Sequence, residues 1–251
     1  MDQSYTEREM AREQAFQSIW SNDIPDVFKD VAKYYDRANV YATLGTIDGL
    51  RRRFVSTMNV RPNARVLDVC AGTNVIGIEL LKREPTLDVN AIDRSKEMQE
   101  VGQQLAAKRG FKINSTIRDV HELPFPDNSF DMVTLQYATR HIRAMQVFSE
   151  IKRVLKPGGW FYHCDMLRPA NKLIEGFYYV YLRIIMELIP RAYGSGDAAM
   201  RCRDYFLDAV RLFYSVEELS KGLTELGYTE VHGRSALFGT VGFHKARKPL
   251  S

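Results

Sequence analysis

Arg65-Val-Leu-Asp-Val-Cys-Ala-Gly-Thr-Asn74 decides the fold of this chain: a short apolar run, Arg65 to Val69, closes in a small-residue turn around Gly72, and a helical pattern follows from Val75 to Arg83. A strand that enters a glycine turn and then a helix is the repeating unit of an alternating α/β sheet. Downstream the unit recurs. Asp88 to Ile92 reads as a second strand, and Ser95 caps a helix from Lys96 to Arg109. Lys112 to Ile117 reads as a third strand, and Phe130 to Leu135 as a fourth, entered through the turn Pro126-Asp-Asn-Ser129. Gln146 to Leu155 is a helix stopped by Pro157-Gly-Gly159, and Trp160 to Cys164 a fifth strand. Strands alternating with helices predict a mostly parallel sheet with helices on both faces, because parallel neighbours require a crossover. After Asp165 an aromatic helical insert interrupts the rhythm, which resumes with a helix at Val216 to Leu226 and strands near Thr229 to Arg234 and Ala236 to His244. Upstream, residues 1–58 lack strand signals and read as helices, with Phe28, Val31, Ala32 and Tyr35 at helical spacing and a break near Gly45.

At 251 residues, 45% hydrophobic and 26% charged, the chain is long and apolar enough to hold one core without disulfides or a structural metal. Cys70, Cys164 and Cys202 form no C-x-x-C pair, which argues against a disulfide framework or a zinc knuckle and for a reducing compartment. Thirty-five basic residues against thirty-one acidic give a net charge of +4, but they are spread along the chain, so no nucleic-acid partner is expected. Met1 to Met10 is polar, with Asp2, Glu7 and Glu9, unlike a signal or transit peptide, and the expected location is cytoplasmic. Leu173 to Ala192 comes nearest to a membrane span, but Glu175, Arg183 and Glu187 interrupt it; contact with a membrane surface stays open. No repeat, low-complexity tract or linker divides the chain.

Open α/β sheets bind ligands beyond the carboxyl ends of their strands. After the first strand, Asp68 edges the turn at Ala71, Gly72 and Thr73, where the backbone can approach a ligand; a plain tight turn accounts for the same residues. Asp93 after the second strand suits the two hydroxyls of a ribose, or a helix cap. In Asp119-Val-His-Glu-Leu-Pro-Phe125 the carboxylate can take an adenine amino group over a floor of Leu123 or Phe125, or can be a solvated loop acid. Gln136-Tyr-Ala-Thr-Arg-His141 is a polar cluster after the fourth strand. A nicotinamide dinucleotide would need glycine at 70, 72 and 75, where the chain has Cys70, Gly72 and Val75; no phosphate loop occurs either. Adjacent strand residues point to opposite faces, so His163-Cys164-Asp165 is not a metal site, and no metal is expected.

Taken in order, Val66-Leu-Asp-Val-Cys-Ala-Gly-Thr73, Ala91-Ile-Asp93, Asp119 with Leu123-Pro-Phe-Pro-Asp-Asn-Ser-Phe-Asp131, and Arg153-Val-Leu-Lys-Pro-Gly-Gly159 resemble the successive motifs of class I S-adenosylmethionine-dependent methyltransferases. Within that superfamily the chain resembles the ubiquinone/menaquinone biosynthesis C-methyltransferases along most of its length. Tyr35-Asp36, Asn39, Gly45, Arg140, Ile189-Pro-Arg191, Tyr205 and His244-Lys245 carry this second likeness. The resemblance implies a Rossmann-like class I fold with a mostly parallel seven-stranded sheet. Residues 1–58 would form an N-terminal helical cap and residues 59–251 the methyltransferase domain, with a helical lid insert at about 168–214. The implied cofactor is S-adenosyl-L-methionine, leaving as S-adenosyl-L-homocysteine. Asp68 and the backbone of Ala71, Gly72 and Thr73 would face its methionine moiety, Asp93 the ribose and Asp119 the adenine, with Arg94, Val120 and Gln136 completing the site. Where the family usually has Gly-Gly-Thr-Gly-Asp the chain has Ala71-Gly72-Thr73-Asn74-Val75; Asn tolerates positive φ, and Ala adds only a methyl, so cofactor binding is expected to survive. The family's Asn after the strand-four Arg is His141 here, and its aromatic near the first helix end is Leu50, so the acceptor pocket has changed.

Methyl transfer is an in-line displacement that asks the protein for alignment and an electron-rich acceptor. A phenol or quinol becomes a carbon nucleophile when its hydroxyl loses a proton. Base candidates are His141, His163, His244, Tyr35 and Asp36, with Arg140 to stabilise the phenolate. Each histidine can equally be a core residue, and Arg140 can be a structural ion pair with Asp36 or Asp165. Phe177 to Pro190 reads as a lid over a hydrophobic aromatic acceptor, resting on a membrane surface, or as a core helix. The expected activity is C-methylation of a hydrophobic phenol or quinol. The alternatives are a natural-product O- or N-methyltransferase and a non-methylating binding or assembly protein that keeps the fold; a homodimer stays open.

Overall fold

The computed structural model describes residues 3–194 and 202–251. At its centre β1 (Arg65–Val69) runs parallel between β2 (Asp88–Asp93) and β4 (Phe130–Gln136). The sheet is completed by β3 (Asn114–Ile117), β5 (Leu155–Met166), β6 (Thr229–Ala236) and β7 (Val241–Arg247), in the order β3-β2-β1-β4-β5-β7-β6. Only β7 is antiparallel to its neighbours. Near-continuous apolar runs such as Val66-Leu67 and Met132-Val133 suit strands buried on both faces. The mostly parallel seven-stranded sheet is therefore as expected.

Ten α-helices surround this sheet among the described residues. α1 (Gln3–Ser18), α2 (Ile24–Val31), α3 (Tyr35–Ala42) and α4 (Ile47–Ser56) precede it, with a π-helical turn at Ile19–Asp23 between the first two. α5 (Val75–Arg83), α6 (Lys96–Ala107) and α7 (Ala144–Val154) connect the parallel strands. α8 (Lys172–Tyr193), α9 (Arg203–Arg211) and α10 (Val216–Glu225) lie between β5 and β6. One sheet face packs Phe148 and Ile151 of α7 and Leu219 of α10 against Leu67 and Val133; the other packs Phe54 of α4 and Ile78 and Leu80 of α5 against Val66 and Met132. A third cluster joins Phe16, Trp20, Ile24 and Val27 to Tyr205 and Ala209, clamping the N-terminal helices onto α9. Ser95 caps α6 as expected, its Oγ accepting from Met98 N at 3.2 Å.

Several boundaries differ. Phe28 to Tyr35 is two helices rather than one, since Tyr34 takes φ −122° and turns the chain between α2 and α3. β3 starts at Asn114, because Ile113 is buried in the core ahead of the ladder. The expected last strand over Ala236–His244 splits: Ala236 ends β6, a 3₁₀ turn covers Leu237–Gly239, and β7 begins at Val241. The aromatic insert forms α8, capped by Asn171, but its residues 195–201 lie outside the described residues. No helix among the described residues is long and apolar enough to cross a membrane.

Candidate active site

The turn after β1 is wound through three left-handed residues, Cys70 (φ 55°), Gly72 (φ 52°) and Asn74 (φ 58°). Asn74 thus occupies a conformation that most side chains avoid, and its Oδ1 accepts from Gln99 Nε2 at 3.0 Å. Gln99 also donates to Gly72 O at 2.9 Å, while Gly72 N donates to Asp93 Oδ2 at 2.8 Å. Ser95 N donates to Asp93 Oδ1 at 2.8 Å. The carboxylate thereby holds the turn and the start of α6 together, and each of its oxygens keeps a second lone pair. Burial raises its pKa, against the two amides.

Around this turn lies a cavity of about 290 Å³, lined by Asp68, Ala71, Gly72, Thr73, Asp93, Arg94, Asp119, Val120 and Gln136, so all nine residues expected on the cofactor side come together. Asp68 is 2% exposed, and burial pushes its carboxyl up to about 7 against the Thr134 hydroxyl, which donates to it at 2.6 Å. Gln136 Nε2 is buried without a hydrogen-bond partner among the described residues. Asp119 is held well below the usual carboxylate range by His121, whose ring Nδ1 lies at 2.5 Å and whose backbone N–H donates at 2.8 Å. A cavity with three carboxylates and a free amide suits a nucleoside with a cationic amino-acid tail, so the residues fit S-adenosylmethionine. Leu123 and Phe125 correct the expectation of an adenine floor: both belong to the core, Leu123 buried and Phe125 edge-on to Phe130. Met98 and Ile142 supply apolar lining instead. Arg51, not anticipated, also lines the cavity; its guanidinium is paired to Asp36 at 2.9 Å and its Nε has no hydrogen-bond partner among the described residues.

A second, more apolar cavity of about 620 Å³ lies beside the first, between α2, α3, α4 and α8. The two share Phe28, Tyr35, Tyr137 and His141. Tyr137 sits at this junction with φ 55°, a strained conformation for a bulky residue. Tyr35 faces both spaces, and burial raises its phenol further. Arg140 lines the larger cavity, its Nη1 donating to Asp165 Oδ1 at 2.5 Å. That ion pair, foreseen as the plain alternative, coexists with exposure to the cavity.

Three base candidates, Asp36, His163 and His244, lie elsewhere. Asp36 lines neither cavity: Oδ1 accepts from Arg51 and Oδ2 from Thr73 Oγ1 at 2.8 Å, tying α3 to the turn. His244 is 2% exposed, and burial pushes it down to about 4; its Nε2 donates to Val216 O at 3.0 Å. That fixes its Nδ1 as an acceptor for His163 Nδ1 at 3.2 Å, so His163 Nε2 accepts from Thr139 Oγ1 at 2.7 Å. Thr139 N donates to Asp165 Oδ2 at 2.7 Å. His163 and His244 thus support the 3₁₀ turn Thr139–His141 from below and line neither of the two cavities. From the other side Arg12, fully buried, donates to the carbonyls of Arg140 and Ile142 at 3.0 and 3.3 Å. Its place in a polar N-terminal helix gave no sequence signal for this role.

The β3-β2-β1-β4-β5-β7-β6 order, with a cavity lined by Asp68, Asp93 and Asp119 at the strand ends, is that of a class I S-adenosylmethionine-dependent methyltransferase. Residues 16–248 match the ubiE/COQ5 methyltransferase family, and the chain belongs to it. A demethylmenaquinone methyltransferase of Corynebacterium glutamicum is 32% identical over 228 residues, 90% of this chain and 94% of the relative. An S-adenosylmethionine-dependent methyltransferase from Aquifex aeolicus shares the fold with a TM-score of 0.56 at 19% identity, over 79% of this chain and 89% of that one. Haemonchus contortus phosphoethanolamine N-methyltransferase 2, solved with phosphomonomethylethanolamine and S-adenosylhomocysteine, does so with a TM-score of 0.60 at 15% identity, over 80% and 52%. This chain is an S-adenosylmethionine-dependent methyltransferase, and its family membership supports C-methylation in quinone biosynthesis as its reaction.

Proposed function

We propose that the acceptor is a prenylated quinol of the demethylmenaquinol type, methylated on a ring carbon. The observation that carries this reading is the junction of the two cavities: an acidic one sized for a nucleoside opens, at Phe28, Tyr35, Tyr137 and His141, into an apolar one about twice as large. A flat ring stacked at the junction presents its edge to the cofactor side while its prenyl tail runs along α8. When bound, S-adenosylmethionine supplies an electrophilic methyl group on a sulfonium. The chain does the rest. Asp93 takes the ribose hydroxyls, Asp119 and the backbone of Val120 the adenine edge, and Asp68, the Ala71–Thr73 turn and Gln136 the amino-acid end. Arg94, whose Nη1 donates to Trp20 O at 2.8 Å, draws the helical cap of residues 1–58 over the methyltransferase domain of residues 59–251. Arg140 stabilises negative charge on the ring oxygen, and Tyr35 orders the ring against it.

In the lid insert at about 168–214, α8 has two apolar faces. Tyr178, Tyr181, Leu182 and Ile185 line the acceptor cavity, whereas Leu173, Phe177, Val180, Ile184 and Leu188 face outward, each at least half exposed. Leu44 and Phe238, 78% and 84% exposed, stand at the edge of the same cavity. This surface supports peripheral contact with a membrane, from which a lipophilic acceptor would enter. Self-association through the same stripe is the competing reading, and light scattering with and without anionic vesicles separates them. Mass spectrometry of reactions with demethylmenaquinol, a polar catechol and a primary amine tests the acceptor. Methylation of the catechol or amine in preference to the quinol would overturn the proposal in favour of an O- or N-methyltransferase.

A further inference from the structure

His141 is 6% exposed, lines both cavities, and is held in place by a chain of two hydrogen bonds from the N-terminal cap and α9. Trp20 Nε1, which can only donate, reaches Tyr205 Oη at 2.9 Å. Tyr205 Oη lies 2.5 Å from His141 Nδ1 and has no other hydrogen-bond partner among the described residues. If Nδ1 carried the proton, the tyrosine oxygen would accept twice and its own proton would have no acceptor among the described residues. If Nδ1 is bare, the tyrosine donates to it and both hydrogen bonds of the relay are made, Trp20 to Tyr205 and Tyr205 to His141. The imidazole proton then sits on Nε2, which has no hydrogen-bond partner among the described residues.

We infer that His141 is a catalytic hydrogen-bond donor, its Nε2–H fixed by the Trp20–Tyr205 relay and directed at the ring oxygen of the acceptor. This rests on the proposed reading of the larger cavity. A buried donor without a partner bears its desolvation cost until a ligand atom accepts from it, and a quinol oxygen gaining negative charge is such an atom. The donor also has company. Arg140 lines the same cavity, and between them the two side chains offer an oxyanion two N–H groups from consecutive residues. Burial, Arg140 on the same turn and Arg12 from α1 all act against a second proton on the ring, while Tyr205 and Tyr35 around it are neutral phenols raised by burial. His141 therefore gives up no proton and takes none; the hydroxyl proton of the acceptor leaves by another route. Asn, usual at this position in the family, carries an amide N–H and can serve the same end.

The full-length protein labelled with ¹⁵N-histidine tests this, with His141→Asn used to assign the signals. Long-range ¹H–¹⁵N spectra are expected to show His141 neutral, protonated at Nε2 and bare at Nδ1 near pH 7, with the Nε2–H signal shifting when a short-chain prenylated naphthohydroquinone is added. Tyr205→Phe is expected to mix the tautomers. In turnover, His141→Leu is expected to lose about 10²–10³ in kcat, with His141→Asn recovering most of it at unchanged S-adenosylmethionine affinity. An imidazolium, an Nδ1–H tautomer, an Nε2–H indifferent to the naphthohydroquinone, or an Asn variant as slow as the Leu variant would each overturn the inference. If the wild-type chain methylates no quinol, the acceptor assignment falls separately, since the tautomer is read without turnover.

Discussion

Asp165 and Arg140 meet at 2.5 Å at the inner wall of the acceptor cavity, with the carboxylate fully buried. The same carboxylate caps the turn that carries the arginine by accepting from Thr139 N. The pair orients the guanidinium, and the arginine lines the larger cavity. Arg140→Lys keeps the charge but loses the planar fork, so kcat should fall about 10²-fold while calorimetric S-adenosylmethionine affinity stays the same. Asp165→Asn leaves a buried cation without its counter-charge and should cost about 3–5 kcal/mol in urea denaturation. A full-speed Arg140→Lys enzyme would reduce the arginine to the ion pair alone.

Asp93→Ala removes a charged acceptor from the cofactor cavity and also releases Gly72 N and Ser95 N. Hydrogen bonds to charged groups contribute roughly 1.5–3 kcal/mol each, so calorimetry should show affinity weaker by at least about tenfold. Asp119→Ala should weaken binding too, and exchanging the cofactor's adenine for hypoxanthine should then matter less than it does in the wild type. Simple additivity of the two changes would remove Asp119 from the adenine.

The cofactor half was readable because its residues sit at strand ends, and an apolar run followed by a small-residue turn locates a strand end without tertiary knowledge. Burial against a particular partner is not written that way. Leu123 and Phe125 are apolar, but only the fold decides that they pack on the core rather than under an adenine. Arg51 sits in the run Arg51-Arg52-Arg53, which reads as a solvated face until Asp36, fifteen positions away, closes on it. Phe177 and Tyr181 are one helical turn apart, and sequence gives α8 two apolar faces without saying which is inside. His244 is a polar residue closing the strand expected at Ala236 to His244, the pattern of a site residue, yet it lies within β7 and its hydrogen bonds go to Val216 of α10 and His163 of β5.

Asp68 gives the site a pH dependence whose sign follows from burial. Its carboxyl rises from 3.8 to about 7 on folding, because burial outweighs the Thr134 hydrogen bond. A raised carboxyl contributes stability that is complete below about pH 4 and is lost as pH rises through 7. Asp68→Asn should therefore flatten the pH dependence of unfolding between about pH 4 and 7. A cationic ligand favours the ionised form, so S-adenosylmethionine should bind with release of a proton below pH 7, its affinity falling up to about tenfold per pH unit. Calorimetry in buffers of different ionisation enthalpy counts that proton; none released at pH 6 would show that the carboxyl has the same protonation state free and bound and would remove this linkage.

The two faces of α8 should separate by mutation. Tyr181 lines the acceptor cavity, whereas Phe177 is 71% exposed on the outer stripe with Leu173 and Val180, which corrects the expectation that both enclose the substrate. Tyr181→Ala enlarges the wall along which a prenyl tail would lie and should raise KM for a long-chain acceptor several-fold more than for a short-chain one. Phe177→Ala should leave that ratio unchanged. Its effect belongs to the surface: removing one large side chain forfeits roughly 1.5–3 kcal/mol of apolar burial in a lipid interface, so partitioning into anionic vesicles should drop about tenfold or more. Loss of vesicle binding with Phe177→Ala and of chain-length discrimination with Tyr181→Ala would show one helix serving as both the wall of the cavity and its membrane-facing side; the opposite assignment of the two defects would require α8 to rotate about its axis when the acceptor binds.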